Sequence, residues 1–328
     1  MALYTRKNSF SLPLLLFLVL IAALSGCEQA EQSKSIDLSK RTATSNTAHN
    51  TSTEYGDDDS GQYKRLLFGF DLRSSPQEDA RQYLPFLNYL NEATGYRFEL
   101  VLTSKDDRLD EKLGTGQVHF AAIGAVSYIK SQQRYGVVPV ARGLNANNKA
   151  EYQSTMVVKP GSDILSIDDL RGKRLAFGSR DSTQGHLIPR IDLIEHGINL
   201  DELAAYIYTD SHRSCADAVL AGRVDVCAMQ DTMAKSLQQR ELVRIIYTSN
   251  YYPSSGIFAN SEVNQYVLSK VSDALLAFKP KGQQASTLYN WDKTEMPNGF
   301  IAASDGDYRV LRDWLIRLGF LKVTDETD

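Results

Sequence analysis

The chain has 328 residues, of which 40 are acidic and 36 are Lys or Arg, and its formal net charge is −4 at pH 7. An acidic chain without a basic tract is not typical of nucleic-acid-binding proteins or of proteins that use a polybasic membrane patch. No pair of cysteines or histidines has the spacing of a metal site. We therefore expect no nucleic acid, no metal and no other cofactor.

The N-terminus carries the pattern of a secretory signal. Arg6 and Lys7 precede an apolar run over residues 12–24, which ends in Leu-Ser-Gly before Cys27. This pattern predicts a signal peptide over residues 1–26, too short for a comfortable membrane span, although an uncleaved anchor helix is the alternative. The ending resembles the bacterial lipobox, and the resemblance implies that Cys27 is lipidated and anchors the protein outside the cytoplasm.

Residues 27–62 contain almost nothing that could form a core. Ser, Thr, Asn, Gln, Glu and Asp dominate this segment. Such a composition cannot offset the entropy of ordering the chain, so it predicts a flexible tether. The globular part begins at about Tyr63, and its length allows one large domain or two modest ones.

From residue 66 the chain alternates strand patterns with helix patterns. Strands are predicted at residues 66–71, 97–102, 118–123, 137–144, 152–158, near 175, 204–208, 224–229 and 242–247. Helices are predicted at residues 77–94, 105–113, 127–135, 188–196, 216–221, 262–278 and 308–318. This alternation is typical of an α/β fold with mainly parallel sheets.

Two segments of the chain echo each other weakly. In residues 113–124 and 220–230 a helix ends at glycine and a strand then begins at valine. A glycine helix cap before a buried strand explains each copy alone, so coincidence is the alternative. As a repeat, the echo predicts two lobes whose loops at Gly124 and at Gln230 and Asp231 face one cleft.

The extended segments 152–159 and 251–259 are the predicted crossings between these lobes. The first lobe is then residues 63–150 plus 260–328, and the second lobe with the crossing strands is residues 151–259.

Cys215 and Cys227 are the cysteines that remain beyond the lipidation site. An oxidising compartment permits one bridge. Cys215 lies in a helical pattern and Cys227 in a strand, which favours separate thiols, and the pairing stays open.

The most informative segment is Ser182-Thr183-Gln184-Gly185, between a strand-like run and a helix-like one. The first N–H groups of a helix have no internal partner, and the helix dipole makes that end positive. Such an end captures phosphate-like anions without a lysine. The alternative is an ordinary Ser/Thr cap of the helix.

Several motifs, which keep the order along the chain that they have in the family, resemble the phosphate-, phosphite- and phosphonate-binding proteins of ABC importers. They are Arg174-Leu175-Ala176-Phe177, Ser182-Thr183-Gln184-Gly185, Leu187-Ile188-Pro189, Ser211-His212 ahead of an Ala-rich helix, Gly222-x-Val224-Asp225, and the loop at 124–128. The resemblance spans most of residues 64–320. It implies a two-lobe periplasmic binding protein of the type II-like class, with two parallel-dominated sheets joined by two crossing strands.

The resemblance also implies roles for individual residues. Ser182 and Thr183 match hydroxyls that hold ligand oxygens with the helix N–H groups, to which Gln184 and Gly185 belong. His212 matches a histidine that donates to an anion oxygen. Tyr128 matches a ring that closes over the ligand.

Three features of this chain bear on the ligand. Gln184 replaces the usual serine, so its side chain contributes differently. Ser254 and Ser255 stand where aminophosphonate binders can carry a carboxylate, which favours a bare oxyanion or a small alkylphosphonate. Asp231 could accept a hydrogen bond from a protonated ligand oxygen, or could simply begin a helix.

We therefore expect a monomeric, lipid-anchored solute-binding protein that captures phosphate, phosphite or a small phosphonate by hinge closure and delivers it to an ABC permease. The alternative is a sensor of the same fold that partners a membrane histidine kinase. A hydrolase with Ser182, His212 and an Asp as a triad is disfavoured, because the G-x-S-x-G elbow is missing.

Overall fold

A computed structural model describes residues 65–71, 76–103 and 107–322. The predicted signal peptide, the tether and the lipidation site Cys27 lie outside the described residues. Those that are described belong to one compact unit of the chain, Tyr55–Asp328. Among them, no helix has both the length and the apolar character needed to cross a membrane.

Strands and helices alternate along the chain, as the sequence pattern predicts. The strands are β1 (Arg65–Phe70), β2 (Arg97–Leu102), β3 (Phe120–Ile123), β4 (Val138–Gly143), β5 (Glu151–Tyr152), β6 (Ser154–Val158), β7 (Arg174–Phe177), β8 (Ala205–Tyr208), β9 (Val226–Gln230), β10 (Arg244–Thr248), β11 (Tyr252–Pro253), β12 (Gly256–Ala259) and β13 (Phe300–Ala302). The helices are α1 (Pro76–Thr94), α2 (Leu109–Gly114), α3 (Ala125–Tyr135), α4 (Ile188–Glu195), α5 (His212–Leu220), α6 (Asp231–Gln239), α7 (Gln265–Ala277) and α8 (Arg309–Arg317).

The described strands form two larger sheets. The first has the order β13-β4-β12-β3-β1-β2 and the second the order β10-β6-β9-β7-β8. We call the first sheet with α1–α3, α7 and α8 the first lobe, and the second sheet with α4–α6 the second lobe. Strands β5 and β11 form a separate two-stranded pair, in which Tyr152 lies opposite Tyr252.

Both sheets are mixed rather than mainly parallel. Strand β1 pairs in parallel with β2 and β3, and β7 pairs in parallel with β8 and β9. The chain enters the second sheet through β6 and returns to the first through β12, and each of these strands runs antiparallel to its neighbours. The crossings therefore reverse the strand direction in the middle of each sheet.

The structure pairs Cys215 with Cys227, which the sequence pattern had disfavoured. Cys215 on α5 and Cys227 on β9 are fully buried and form a disulfide, with their Cα atoms 5.7 Å apart. The helix packs directly on the strand, so a helix position and a strand position come within bonding reach. Because α5 begins at His212 and β9 ends at Gln230, the bond joins two elements that lead to the cavity described below.

A buried apolar cluster runs from the first lobe to the start of α4. Leu187, Ile188 and Ile191 belong to it, together with Tyr152 and Tyr252 of the crossing strands. The helix that follows the Ser182–Gly185 segment is therefore packed against the crossings.

Candidate ligand-binding site

A cavity of about 370 Å³ lies where both sheets end. The first lobe contributes Ile123, Gly124 and Ser127 around the end of β3, and the second lobe contributes Gln230 at the end of β9. Tyr152 and Ser255 line it from the crossing segments. Residues at the ends of β3 and β9 thus line the same cavity, at the carboxyl ends of their strands, where α/β sheets bind ligands.

The turn Thr183–Leu187 is wound as a π-helical turn with Ser182 as its cap. The carbonyl of Ser182 accepts the N–H groups of His186 and Leu187 at 3.2 and 3.1 Å. Its hydroxyl oxygen accepts the Gly185 N–H at 2.9 Å. The N–H groups of Thr183 and Gln184 stand first in this turn, where no intrahelical acceptor exists. The segment thus has the donors that the sequence predicted, in a wider turn than an α-helix provides.

Gly185 is required by close packing rather than by its backbone angles. A Cβ atom at this position would lie 2.9 Å from Ser182 Oγ and 3.0 Å from both Gly178 Cα and His212 Cε1. The Gly178 N–H also donates to the Gly185 carbonyl at 2.7 Å. Glycine therefore allows the turn, the end of β7 and the histidine to meet.

Thr183 connects the turn to the first lobe. Its Oγ1 accepts the Val126 N–H at 3.0 Å, and Val126 is the second residue of α3. Because the oxygen acts as an acceptor here, the hydroxyl proton is left to donate elsewhere. Ser182 is in the same situation, since its oxygen accepts the Gly185 N–H. Both residues line the cavity, so both can donate to a bound anion.

Gln184 directs its side chain to the crossing segment. Its Nε2 donates to the Gln153 carbonyl at 2.9 Å and lies 3.5 Å from Asp231 Oδ1. Ser154 Oγ donates to the Gln184 carbonyl at 2.6 Å. Gln184 therefore braces the turn against the chain between β5 and β6.

His212 reaches the cavity from the start of α5. Ser211 caps this helix, with its Oγ accepting the Ser214 N–H at 3.1 Å, and both Ser211 and His212 line the cavity. The histidine ring stands next to Gly185. The structure thus brings Ser182, Thr183, Gln184, Gly185 and His212 together.

The structure does not bring Tyr128 to the cavity. Its ring is fully buried and stacks on Phe258, with the ring centroids 4.3 Å apart, and its hydroxyl donates to Asp305 Oδ1 at 2.7 Å. Burial raises the pKa of Tyr128 above its usual range. The predicted role of Tyr128 is corrected accordingly, because its position on α3 faces the core of the first lobe, and Ser127 lines the cavity instead.

Asp231 also stands beside the cavity wall rather than in it. It is the first residue of α6, and its Oδ2 accepts from Lys235 Nζ one turn later at 2.7 Å. This is the helix-start arrangement that the sequence left open. A carboxylate at this end is favoured by the helix dipole.

The cavity lining carries more charge than the sequence predicted. The charged residues that line it are Asp71, Asp107, Arg108, Asp110, Asp181, Asp210, Arg213 and Glu295. Asp71 directly follows β1, and Asp210 and Arg213 lie on either side of the pair Ser211-His212 after β8. Their places shortly after strand ends were the sequence signal that could have identified them. No cluster of metal-ligating side chains occurs in the part of the chain that the structure describes.

His186 is a buried residue that sequence reasoning did not single out. Its Nδ1 lies 2.7 Å from the Arg180 carbonyl and its Nε2 lies 3.1 Å from the Tyr208 hydroxyl. These partners fit a neutral ring that donates from Nδ1 and accepts at Nε2. Burial is the main cause that lowers the pKa of His186 to about 4. The ring therefore supports the turn without carrying a charge at neutral pH.

Comparison with known proteins gives consistent matches. The family model for the phosphonate periplasmic substrate-binding protein of ABC transporters matches residues 68–308. The phosphonates-binding periplasmic protein of Escherichia coli is 23% identical over 237 residues, which cover 69% of this chain and 70% of the relative. The phosphate-import protein PhnD of Mycolicibacterium smegmatis is 25% identical over 205 residues, covering 58% and 64%.

Solved structures show the same fold. PhnD1 of Prochlorococcus marinus in complex with methylphosphonate has a TM-score of 0.69 and 15% identity, covering 79% of this chain and 99% of that chain. XAC2383 of Xanthomonas citri bound to ATP has a TM-score of 0.63 and 18% identity, covering 79% and 100%.

Proposed function

Because the chain belongs to the family of periplasmic substrate-binding proteins of ABC phosphonate transporters, we propose that it captures a phosphorus oxyanion in the cavity between its two lobes. The proposed lobes are residues 63–150 with 260–328, and residues 151–259. One observation carries the proposal: the turn after Ser182 and the ring of His212 converge on the same cavity wall.

The donors suit a compact tetrahedral anion. The N–H groups of Thr183 and Gln184 point from the start of a helical turn, where the backbone dipoles favour negative charge. The hydroxyls of Ser182 and Thr183 and the ring of His212 add side-chain donors on the same wall. Preformed neutral donors of this kind bind an anion without a lysine or arginine against its oxygens.

Closure of the lobes completes the site. Tyr152 of β5, which lies opposite Tyr252 of β11, lines the cavity from the crossing segments. The bond from the Val126 N–H to Thr183 Oγ1 joins the lobes beside the proposed ligand position. A ligand that contacts both lobes stabilises the closed arrangement by the difference between its affinities for the two states.

The size and lining of the cavity support an organic phosphonate over inorganic phosphate. The cavity volume of about 370 Å³ falls within the usual range of small-molecule sites, so there is room for a substituent beside one tetrahedral oxyanion group. The lining also includes the carboxylates of Asp71, Asp210 and Glu295. Carboxylate oxygens can accept hydrogen bonds from a substituent that donates them.

We also propose that lipid on Cys27 holds the protein at the membrane. The support is the lipobox-like ending of the signal segment. The test is membrane fractionation of the mature chain after Cys27→Ser, which is expected to release the protein into the soluble periplasmic fraction. Unchanged fractionation would contradict this part of the proposal.

The ligand class is tested by titration calorimetry of the Cys27→Ser protein lacking residues 1–26. The panel is phosphate, phosphite, methylphosphonate, aminoethylphosphonate, sulfate and arsenate. We expect binding of at least one phosphorus oxyanion, with an organic phosphonate preferred over phosphate. Thr183→Ala and His212→Ala are each expected to weaken binding by about 1.5–3 kcal/mol, as for loss of a charge-assisted hydrogen bond.

His196→Ala serves as the matched control, because His196 lies at the far end of α4 and its ring packs on Tyr247. This variant is expected to keep the parent affinity. Binding of an unrelated solute with no heat from any phosphorus oxyanion would overturn the proposed function.

A further inference from the structure

Asp181 directly precedes Ser182, the cap of the turn Thr183–Leu187, and we call Ser182 with this turn the oxyanion turn. Asp181 lines the cavity from the second lobe. Its Oδ1 accepts from Lys130 Nζ at 2.5 Å, and its Oδ2 lies 3.2 Å from Arg108 Nη1. Lys130 belongs to α3 and Arg108 immediately precedes α2, so both cations come from the first lobe. One carboxylate therefore joins two cations across the seam between the lobes.

The three charged groups are partly shielded from solvent. Asp181 and Lys130 side chains are about a third exposed, and Arg108 is also held by Asp110 at 2.7 Å. Burial acts to raise the pKa of Asp181, but Lys130 and then Arg108 outweigh it and bring this pKa below its usual value. The carboxyl group is thus ionised, and ion pairs at such a site are screened by salt less completely than fully exposed pairs.

A carboxylate next to an oxyanion site needs an explanation, because like charges repel. With the lobes together, Lys130 and Arg108 offset the charge of Asp181, and Arg108 is shared with Asp110, so the local charge beside Ser182 is close to neutral. If the lobes separate, Lys130 and Arg108 leave with the first lobe. Asp181 remains with the turn, and the local charge becomes negative. The charge beside the oxyanion turn thus changes from near neutral to negative when the lobes separate.

We propose that Asp181 is a positioning residue that makes retention of the anion depend on closure of the lobes. In the closed arrangement it draws Lys130 and Arg108 to the edge of the oxyanion turn, and in the open arrangement its own charge favours release. This inference rests on the proposed function. It adds an electrostatic component to the neutral bond between Val126 and Thr183 on the same seam.

The test measures association and dissociation rates of methylphosphonate and phosphate by stopped-flow with the processed, otherwise intact chain. Asp181→Asn keeps the size of the side chain and removes its charge. We expect dissociation to become about five- to ten-fold faster and association at low salt to become a few-fold faster, since repulsion in the open form is removed. The salt dependence of the dissociation rate is expected to become weaker.

Lys130→Met is expected to accelerate dissociation as well, and the double variant should be no faster than the faster single variant. Lys235→Met is the matched control, because Lys235 pairs with Asp231 at 2.7 Å within one helix and does not cross the seam. It is expected to leave both rates unchanged.

The outcomes separate the inference from the function on which it rests. If the unsubstituted protein binds a probe while Asp181→Asn dissociates at the parent rate, or if the effects of the two single variants simply add, the inference is wrong and the proposed function stands. If the unsubstituted protein binds neither these probes nor the other phosphorus oxyanions of the panel, both fail together.

Discussion

The two lobes are built from different kinds of interior. The larger core cluster of the first lobe is rich in aromatic side chains, and its buried rings are Phe68, Phe70, Tyr83, Phe86, Phe98, Phe120, Phe278, Trp291 and Phe300. The second-lobe core is mainly aliphatic, with Phe177 as a buried ring, and contains a buried disulfide. The second lobe also buries polar side chains around the oxyanion turn, namely Thr183, Gln184, His186 and Asp192.

This difference separates an apolar frame from a polar interior beside the proposed ligand site. Apolar burial is non-directional and tolerates small shifts, so the aromatic core serves as a scaffold. Buried polar groups need partners with defined geometry, and their networks specify one arrangement of the chain. We infer that the first lobe supplies a stable frame, whereas the polar interior of the second lobe determines the shape of the turn.

The largest expected effect is on stability, in the aromatic core. The Phe86 ring packs against Trp291 and Phe278 with centroids 5.0 and 5.2 Å away. Phe86→Ala is expected to lower the free energy of unfolding by about 3–5 kcal/mol, as other large-to-small core substitutions do. Urea unfolding measures this loss, and calorimetry of the folded protein should show an unchanged Kd. A lower affinity would show that the frame and the turn are coupled; Phe86→Leu, the control, is expected to cost roughly 1 kcal/mol.

The next effect concerns the buried carboxyl group of Asp192 on α4. Its side chain is fully buried, Tyr247 donates its hydroxyl proton to Oδ1 at 3.3 Å, and burial raises the pKa of Asp192 to about 7. The folded chain therefore holds this proton more tightly than the unfolded chain. The associated stability is present below about pH 4 and is lost as pH rises through about 7.

Asp192→Asn removes this loss. Unfolding is measured at pH 5 and pH 8. The free energy of unfolding of the variant is expected to rise relative to that of the parent as pH rises, by roughly 2–4 kcal/mol at pH 8. Asp217→Asn, at a half-exposed position on α5, is the control and should follow the parent at both pH values. A pH-independent difference for Asp192→Asn would contradict the assigned protonation.

A third test targets the turn itself. Gly185→Ala places a methyl group against Ser182, Gly178 and His212, at distances of 2.9–3.0 Å. Overpacking of this kind costs about 1–3 kcal/mol, which corresponds to roughly 5- to 150-fold weaker ligand binding if the turn deforms. Gly306→Ala is the control, because its Cβ would approach only Ser304 Oγ, at 3.8 Å. Retention of the parent affinity by Gly185→Ala would show that this packing does not shape the site.

The smallest effect is expected for His186, with the opposite pH dependence from Asp192. The pKa of His186 in the folded chain is lowered to about 4, so the unfolded chain binds its proton more readily. Stability is then lost as pH falls from about 6.5 towards 4. The free energy of unfolding of His186→Gln is expected to be lower than that of the parent at pH 7. Between pH 6.5 and 5 it is expected to fall by roughly 1–2 kcal/mol less than that of the parent. Parallel profiles of the two proteins would contradict a buried neutral ring.

The sequence predicted the fold class, and the two-lobe binding-protein fold is confirmed by the structural neighbours. The predicted boundaries of β1, β2 and β8 lie within one residue of the observed ones, because strand and turn residues alternate clearly there. The predicted strand at residues 152–158 is interrupted at Gln153, which separates β5 from β6. The helix pattern predicted over residues 216–221 belongs to a helix that spans His212–Leu220, and Ser211 caps it where the family resemblance placed the start of a helix.

By itself the sequence determined the α/β alternation and the helical turn that begins after Ser182, because these depend on hydrophobic periodicity and helix-start residues within short windows. Only the tertiary structure decided that Tyr128 enters the core, that Cys215 bonds Cys227 and that Asp181 meets Lys130. Asp181 and Lys130 are 51 residues apart, and Thr183 and Val126 are 57 apart. Contacts at such separations, and the burial that shifts the pKa values of His186 and Asp192, arise only when distant elements pack together, and no local pattern encodes them.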